Sequence, residues 1–184
     1  MRKLTLYVSG AEVEQHSPAI YERQITSTGA ERLLIAVPTE LPDLFLQLAR
    51  ILPAPSLVLY ILHTPRGEGE PGRYQSPELS WDQIQAFIVR YGAYLAGDAR
   101  HDVWIYSPDS GLQLIWDRHN YMFVEGQPLD NAVAVLASLG FSEAHIDRMG
   151  DHVHHYRHEF DRDAAELLAE FDWLRTPLRP EDEQ

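Results

Sequence analysis

Apolar and polar positions change period several times along the chain, and each change marks an element. Residues 3–8, KLTLYV, alternate and predict a strand. Residues 20–26 predict a second one through Ile20, Arg23 and Ile25, and Ser27-Thr28-Gly29 then turns the chain. The apolar run 32–37, RLLIAV, reads as a buried strand. Pro42 sits where a first helical turn tolerates it, with Asp43 beside it at the positive end of the helix dipole. Leu41, Leu44, Phe45, Leu48 and Ile51 follow at helical spacing, and Pro53 stops the run. Residues 56–63, SLVLYILH, are apolar on both faces, as a central covered strand requires.

A Gly/Pro-rich stretch at 64–80 predicts a long loop. Ser80 and Gln83 form a capping box, and Ile84, Phe87, Ile88, Tyr91 and Leu95 line one face of the helix behind it. A meander of strands at 102–106, 112–117 and 120–125 comes next, with Pro-Asp-Ser-Gly at 108–111 as its first turn. Pro128 opens a helix bearing Leu129, Ala132, Val133, Leu136 and Leu139, closed by Gly140. Residues 142–150 predict a loop or a helical turn, 151–157 a strand, and 160–174 a last helix with Ala164, Leu167, Leu168 and Phe171 inward.

The expected fold class is α+β, a mixed or mostly antiparallel sheet with helices packed on it, in one compact domain over 1–176. The acidic tail 177–184 is expected to be loose. The two halves, 1–98 and 99–176, run in a similar order, which suggests an internal duplication of a βββαβα unit. A shift of 88 positions places Ile35 on Phe123, Leu48 on Leu136 and Ile51 on Leu139. A shift of 80 places Tyr91 on Phe171.

Charge changes the picture more than length does. Fifteen Lys and Arg against 28 Asp and Glu leave a net charge of −13 over 184 residues. Such an excess repels phosphate backbones and anionic lipid, so no nucleic-acid and no membrane-surface partner is expected, and a basic protein partner is. The absence of cysteine removes disulfides, thiolate metal sites and cysteine nucleophiles. No apolar run reaches the ~20 residues of a membrane span, and a cytoplasmic location is expected.

Candidate chemistry is sparse. Gly67, Gly69 and Gly72 spell G-x-G-x-x-G, but the helix starts too late and Glu68 and Glu70 would oppose a pyrophosphate. Arg66, Arg73 and Tyr74 make the same loop anion-capable. Arg118 and His119 are expected at the tip of a hairpin. The densest feature is the run of four histidines within the seven residues 152–158. On a strand, His152, His154, Tyr156 and His158 share one face, and His155 and Arg157 the other. Two imidazoles there could meet at a metal, but a site needs a third ligand, and Asp151, His119, His63 and Asp161 are only unplaced candidates. No metal centre and no cofactor are therefore expected.

The segments Arg73-Tyr74-Gln75-Ser76-Pro77, Asp117-Arg118-His119-Asn120 and Phe171-Asp172-Trp173 give the chain a resemblance to small acidic bacterial proteins, some of them immunity or antitoxin partners of toxins. The resemblance implies a non-enzymatic protein that recognises a basic partner. The alternative is a small-molecule enzyme or metal-binding protein that uses the His152/His154 strand and the 64–77 loop.

Overall fold

A computed structural model describes residues 3–14, 17–37, 42–147 and 149–183. The first half runs β1 (Leu4–Val8), β2 (Ala11–Glu14), β3 (Ile20–Ile25), β4 (Glu31–Ala36), α1 (Pro42–Ala49), β5 (Leu57–Leu62), β6 (Gly72–Gln75) and α2 (Trp81–Gly97). The second runs β7 (His101–Tyr106), β8 (Gln113–Trp116), β9 (Tyr121–Glu125), α3 (Asp130–Ser138), β10 (Ser142–Glu143), β11 (His152–His154), α4 (Asp161–Leu168) and β12 (Leu174–Thr176). Leu41 and Gln184 lie outside the described residues.

Two sheets form. The large one has the order β10-β3-β4-β9-β8-β7-β5-β6-β12, antiparallel except where β10 runs parallel to β3. The small one is antiparallel, with the order β11-β1-β2. The expected α+β class is therefore observed.

Strand alternation gives the large sheet two unlike faces. Leu33 and Ile35, Val58 and Tyr60, Val103 and Ile105, and Leu114 and Trp116 point into one core shared with α1, α2, α3 and α4. Leu34 and Ala36 point the other way, where only a small cluster with Ile146, Ile20, Tyr121 and Phe123 covers them. The α2 capping box is present: Ser80 Oγ accepts from Gln83 N (3.4 Å), and Gln83 Oε1 accepts from Ser80 N (3.0 Å).

Several expectations need correction. β6 lies inside the expected loop, because its polar sequence hides a strand held between β5 and β12. The last helix stops at Leu168, six residues early. Trp173 folds back and donates its Nε1–H to Leu167 O (3.2 Å), satisfying a carbonyl at the helix end, and Phe171 packs on Phe87 outside the helix. The tail is partly ordered: Asp182 is buried and paired with Arg73, and Pro180–Glu183 forms a 3-10 turn.

A duplication is not shown. Leu48 and Leu136 do share the main core. The 88-residue register fails in the strands, because Ile35 faces the helices and Phe123 the opposite side. A one-residue difference in a strand reverses its face.

Candidate functional site

At the end of the large sheet where β5 and β8 finish and β7 begins, the small sheet brings β11 against the β8–β9 turn. Asp117 builds that turn. Its Oδ1 accepts from Tyr121 N (2.7 Å), and Asn120 adopts the left-handed region at φ 62°. Arg118 N donates to Asp102 Oδ1 (2.7 Å), which ties the turn to β7. Lys3, buried, donates its Nζ–H to Asp117 O (2.9 Å) and lies 4.7 Å above the Trp116 ring. Burial pushes the Lys3 ammonium down to about 8, against the attraction of Asp117, Asp102 and Asp98.

β11 is held as firmly. Leu6 stands opposite His152 and Leu4 opposite His154, so both histidines point to the same side of the small sheet as those leucines. His155 N donates to Lys3 O (2.7 Å), Ala99 N to His155 O (3.0 Å), and Arg157 N to Asp98 Oδ2 (2.7 Å).

The result is a triangle of imidazoles. Ring centroids lie 5.0 Å apart for His119–His154, 5.2 Å for His119–His152 and 4.8 Å for His152–His154. One ring nitrogen from each of the three lies within 4.8 Å of the other two. All three side chains are half-buried, and no fourth histidine or carboxylate joins the group among the described residues.

The hydrogen bonds decide which nitrogens are free. His152 Nδ1 lies 3.0 Å from Gly150 O, a carbonyl that can only accept, so Nδ1 is a donor and in the neutral ring the lone pair sits on Nε2. His119 Nδ1 lies 3.3 Å from Asp117 Oδ2, with the same consequence. His154 Nε2 is buried without a hydrogen-bond partner. Burial pushes the His154 imidazole down to about 3, helped by nearby His119, His152, Arg118 and Lys3, so the ring is neutral at physiological pH. An orphaned buried nitrogen costs about 1–3 kcal/mol, and a cation there would remove that cost.

The other expected site residues fall into two groups. Arg118 and Tyr156 stay with the histidines, the Tyr156 ring at 6.3 Å from that of His154. Arg66, Arg73 and Tyr74 lie elsewhere and are engaged. Arg66 Nε donates to Asp161 Oδ1 (3.0 Å), Arg73 pairs with Asp182, and Tyr74 donates its hydroxyl to Glu70 O (2.6 Å). The loop that carries Arg66 is pinned by buried Arg100, which pairs with Asp98 Oδ1 (2.9 Å) and Glu68 Oε1 (3.1 Å). Of the four candidates for a third ligand, His119 joins the pair. His63 lies 3.1 Å from Asp102, and Asp161 is held by Arg66 and Arg100. Asp117 was missed as a site residue; its only sequence signal was its preference for turns.

No protein-family model matches the chain, and neither the curated proteins nor the solved structures contain a match.

Proposed function

We propose that the protein binds one first-row divalent ion, zinc in the simplest case, through Nε2 of His119, His152 and His154. The observation that carries this reading is the convergence of three ring nitrogens within 4.8 Å. Two further features support it: acceptors on Nδ1 fix the tautomers of His119 and His152, and His154 Nε2 is orphaned. Acceptors behind ligating imidazoles are a regular companion of histidine–metal sites. The rings need to close by about 1 Å to reach Zn–N distances of ~2.0–2.1 Å.

Three protein ligands and an open fourth position are the layout of reactive rather than structural zinc sites. Such an ion holds a water or a ligand oxygen and polarises it. The reading therefore belongs to the metal-dependent small-molecule class. A partner-binding role of the immunity type rests on the net charge of −13 and on the resemblance.

Calorimetric titration of the full chain with zinc tests the proposal. It predicts one site with a dissociation constant below ~1 μM, lost in both His119→Ala and His154→Ala. Binding weaker than ~10 μM, the level of two surface imidazoles, would remove it.

A further inference from the structure

The helix-free face of the large sheet carries an open cavity of about 190 Å³, lined by Leu57, Leu59, Gln75, Trp104, Tyr106 and Gln113. It shares no residue with the three-histidine site. Strand alternation makes it: Val58 and Tyr60 of β5, and Val103 and Ile105 of β7, point into the core, so Leu57, Leu59, Trp104 and Tyr106 point away from it.

The register sets the layout. Leu57 stands opposite Tyr106 and Leu59 opposite Trp104, so the four form a floor on two adjacent strands. Gln75 on β6 stands opposite Leu59, and Gln113 on β8 opposite Tyr106. The two amides therefore flank the floor at diagonal corners, three strand spacings or about 14 Å apart across the sheet.

The polar groups have capacity to spare. Gln113 Nε2 donates to Glu125 Oε2 (2.6 Å), which fixes the amide and leaves its Oε1 as an acceptor. Trp104 Nε1 is buried with no acceptor among the described residues. Arg73, neutralised by Asp182, lies over the indole (5.4 Å to the ring centroid) and holds it in place. No charged side chain lines the cavity among the described residues.

We propose that this cavity binds one neutral sugar ring, a hexopyranose. Trp104 and Tyr106 are successive residues on one strand face, side by side rather than facing each other, so they make a floor and not a slot for a flat base. A pyranose lays its C–H groups on such a floor and turns its hydroxyls outward, where the two amides both donate and accept. A hydroxyl oxygen also offers Trp104 Nε1–H the acceptor it lacks. A wholly apolar ligand would strip water from these groups and return nothing. An uncharged lining in a chain of net charge −13 disfavours an anionic ligand. The volume lies below the ~300–1,000 Å³ of pockets that enclose drug-sized molecules, which leaves room for a single ring. The inference does not depend on the metal.

The test follows the indole N–H signals of the full chain by nitrogen–proton NMR, with the Trp104 signal identified by its loss in Trp104→Phe. The probes are the methyl glycosides of glucose, galactose, mannose and N-acetylglucosamine. At least one should shift the Trp104 signal saturably, with a dissociation constant below ~10 mM. Gln75→Ala and Gln113→Ala, checked to melt like the parent, should each weaken that sugar at least ~3-fold, the worth of one hydrogen bond. Cyclohexanol, a ring with one hydroxyl, should bind at least ~10-fold more weakly than the sugar. A Trp104 signal unmoved by all four glycosides at ~50 mM would overturn the proposal. So would equal binding of cyclohexanol, or sugar affinity unchanged in both glutamine variants.

Discussion

His119 and His154 come from a β-turn and from a strand of a different sheet, yet their rings sit 5.0 Å apart. Neither position is set by its own sequence neighbours alone. Asp117 and Asp102 hold the turn that carries His119, while Lys3 and Leu4 hold the strand that carries His154. The site is therefore a product of tertiary docking, and residues that never touch a metal should control it.

Asp117 is the first of these. Asp117→Asn keeps a side-chain acceptor for the Tyr121 N–H but weakens the acceptor behind His119. Zinc affinity should fall about 10–100-fold, the usual effect of losing a partner behind a ligating histidine. Calorimetry on a variant whose melting temperature is near that of the parent checks this. Unchanged affinity would mean that Asp117 only shapes the turn.

Buried and exposed ion pairs should behave differently. Asp98→Ala leaves the Arg100 guanidinium buried with one fewer carboxylate and also frees Arg157 N, and should cost about 3–5 kcal/mol. Arg66→Ala removes a partly exposed pair to Asp161 and should cost less than about 1 kcal/mol. Urea unfolding curves for the two variants give the comparison directly.

Acid should destabilise the metal-free protein before its carboxylates protonate. Burial holds the His101 imidazole well below its ordinary range, assisted by Lys3, Arg100 and His63. The unfolded chain takes up that proton near pH ~6.5 and the folded chain does not, so stability is present above ~6.5 and falls as pH drops below it. His154, pushed down to about 3, acts in the same sense. Melting temperatures between pH 7.5 and 5 should decline, and His101→Phe, placed between the Tyr60 and Tyr94 rings, should flatten the decline. A parallel slope in that variant would assign the loss to other groups.

Leu48→Ala and Leu136→Ala should each cost about 2–5 kcal/mol, because both side chains are fully buried in the same core. Unfolding should remain one transition in either variant, since the helices of both halves pack against one sheet. Two separated transitions would show that the halves are independently stable.

Much of the fold was legible wherever period and burial agree. The apolar runs at 32–37 and 56–63 became β4 and β5, and the Ser80 capping box began α2 where expected. Legibility failed where pairing partners decide the structure. Gly72–Gln75 and Leu174–Thr176 become strands only by pairing with each other and with β5. The same limit applies to the site. The His152/His154 spacing was visible as two imidazoles on one strand face, and His119 was named as a candidate at a hairpin tip. That the tip folds back onto the strand depends on contacts of Asp117 and Asp102 that no local pattern records.

The chemistry proposed for the site depends on where the metal sits. A crystal of the full chain grown with one equivalent of zinc, with data collected at the zinc absorption edge, tests it most directly. One strong anomalous peak is expected at ~2.0–2.1 Å from Nε2 of His119, His152 and His154. A peak bound elsewhere on the chain, or three imidazoles without one between them, would contradict it.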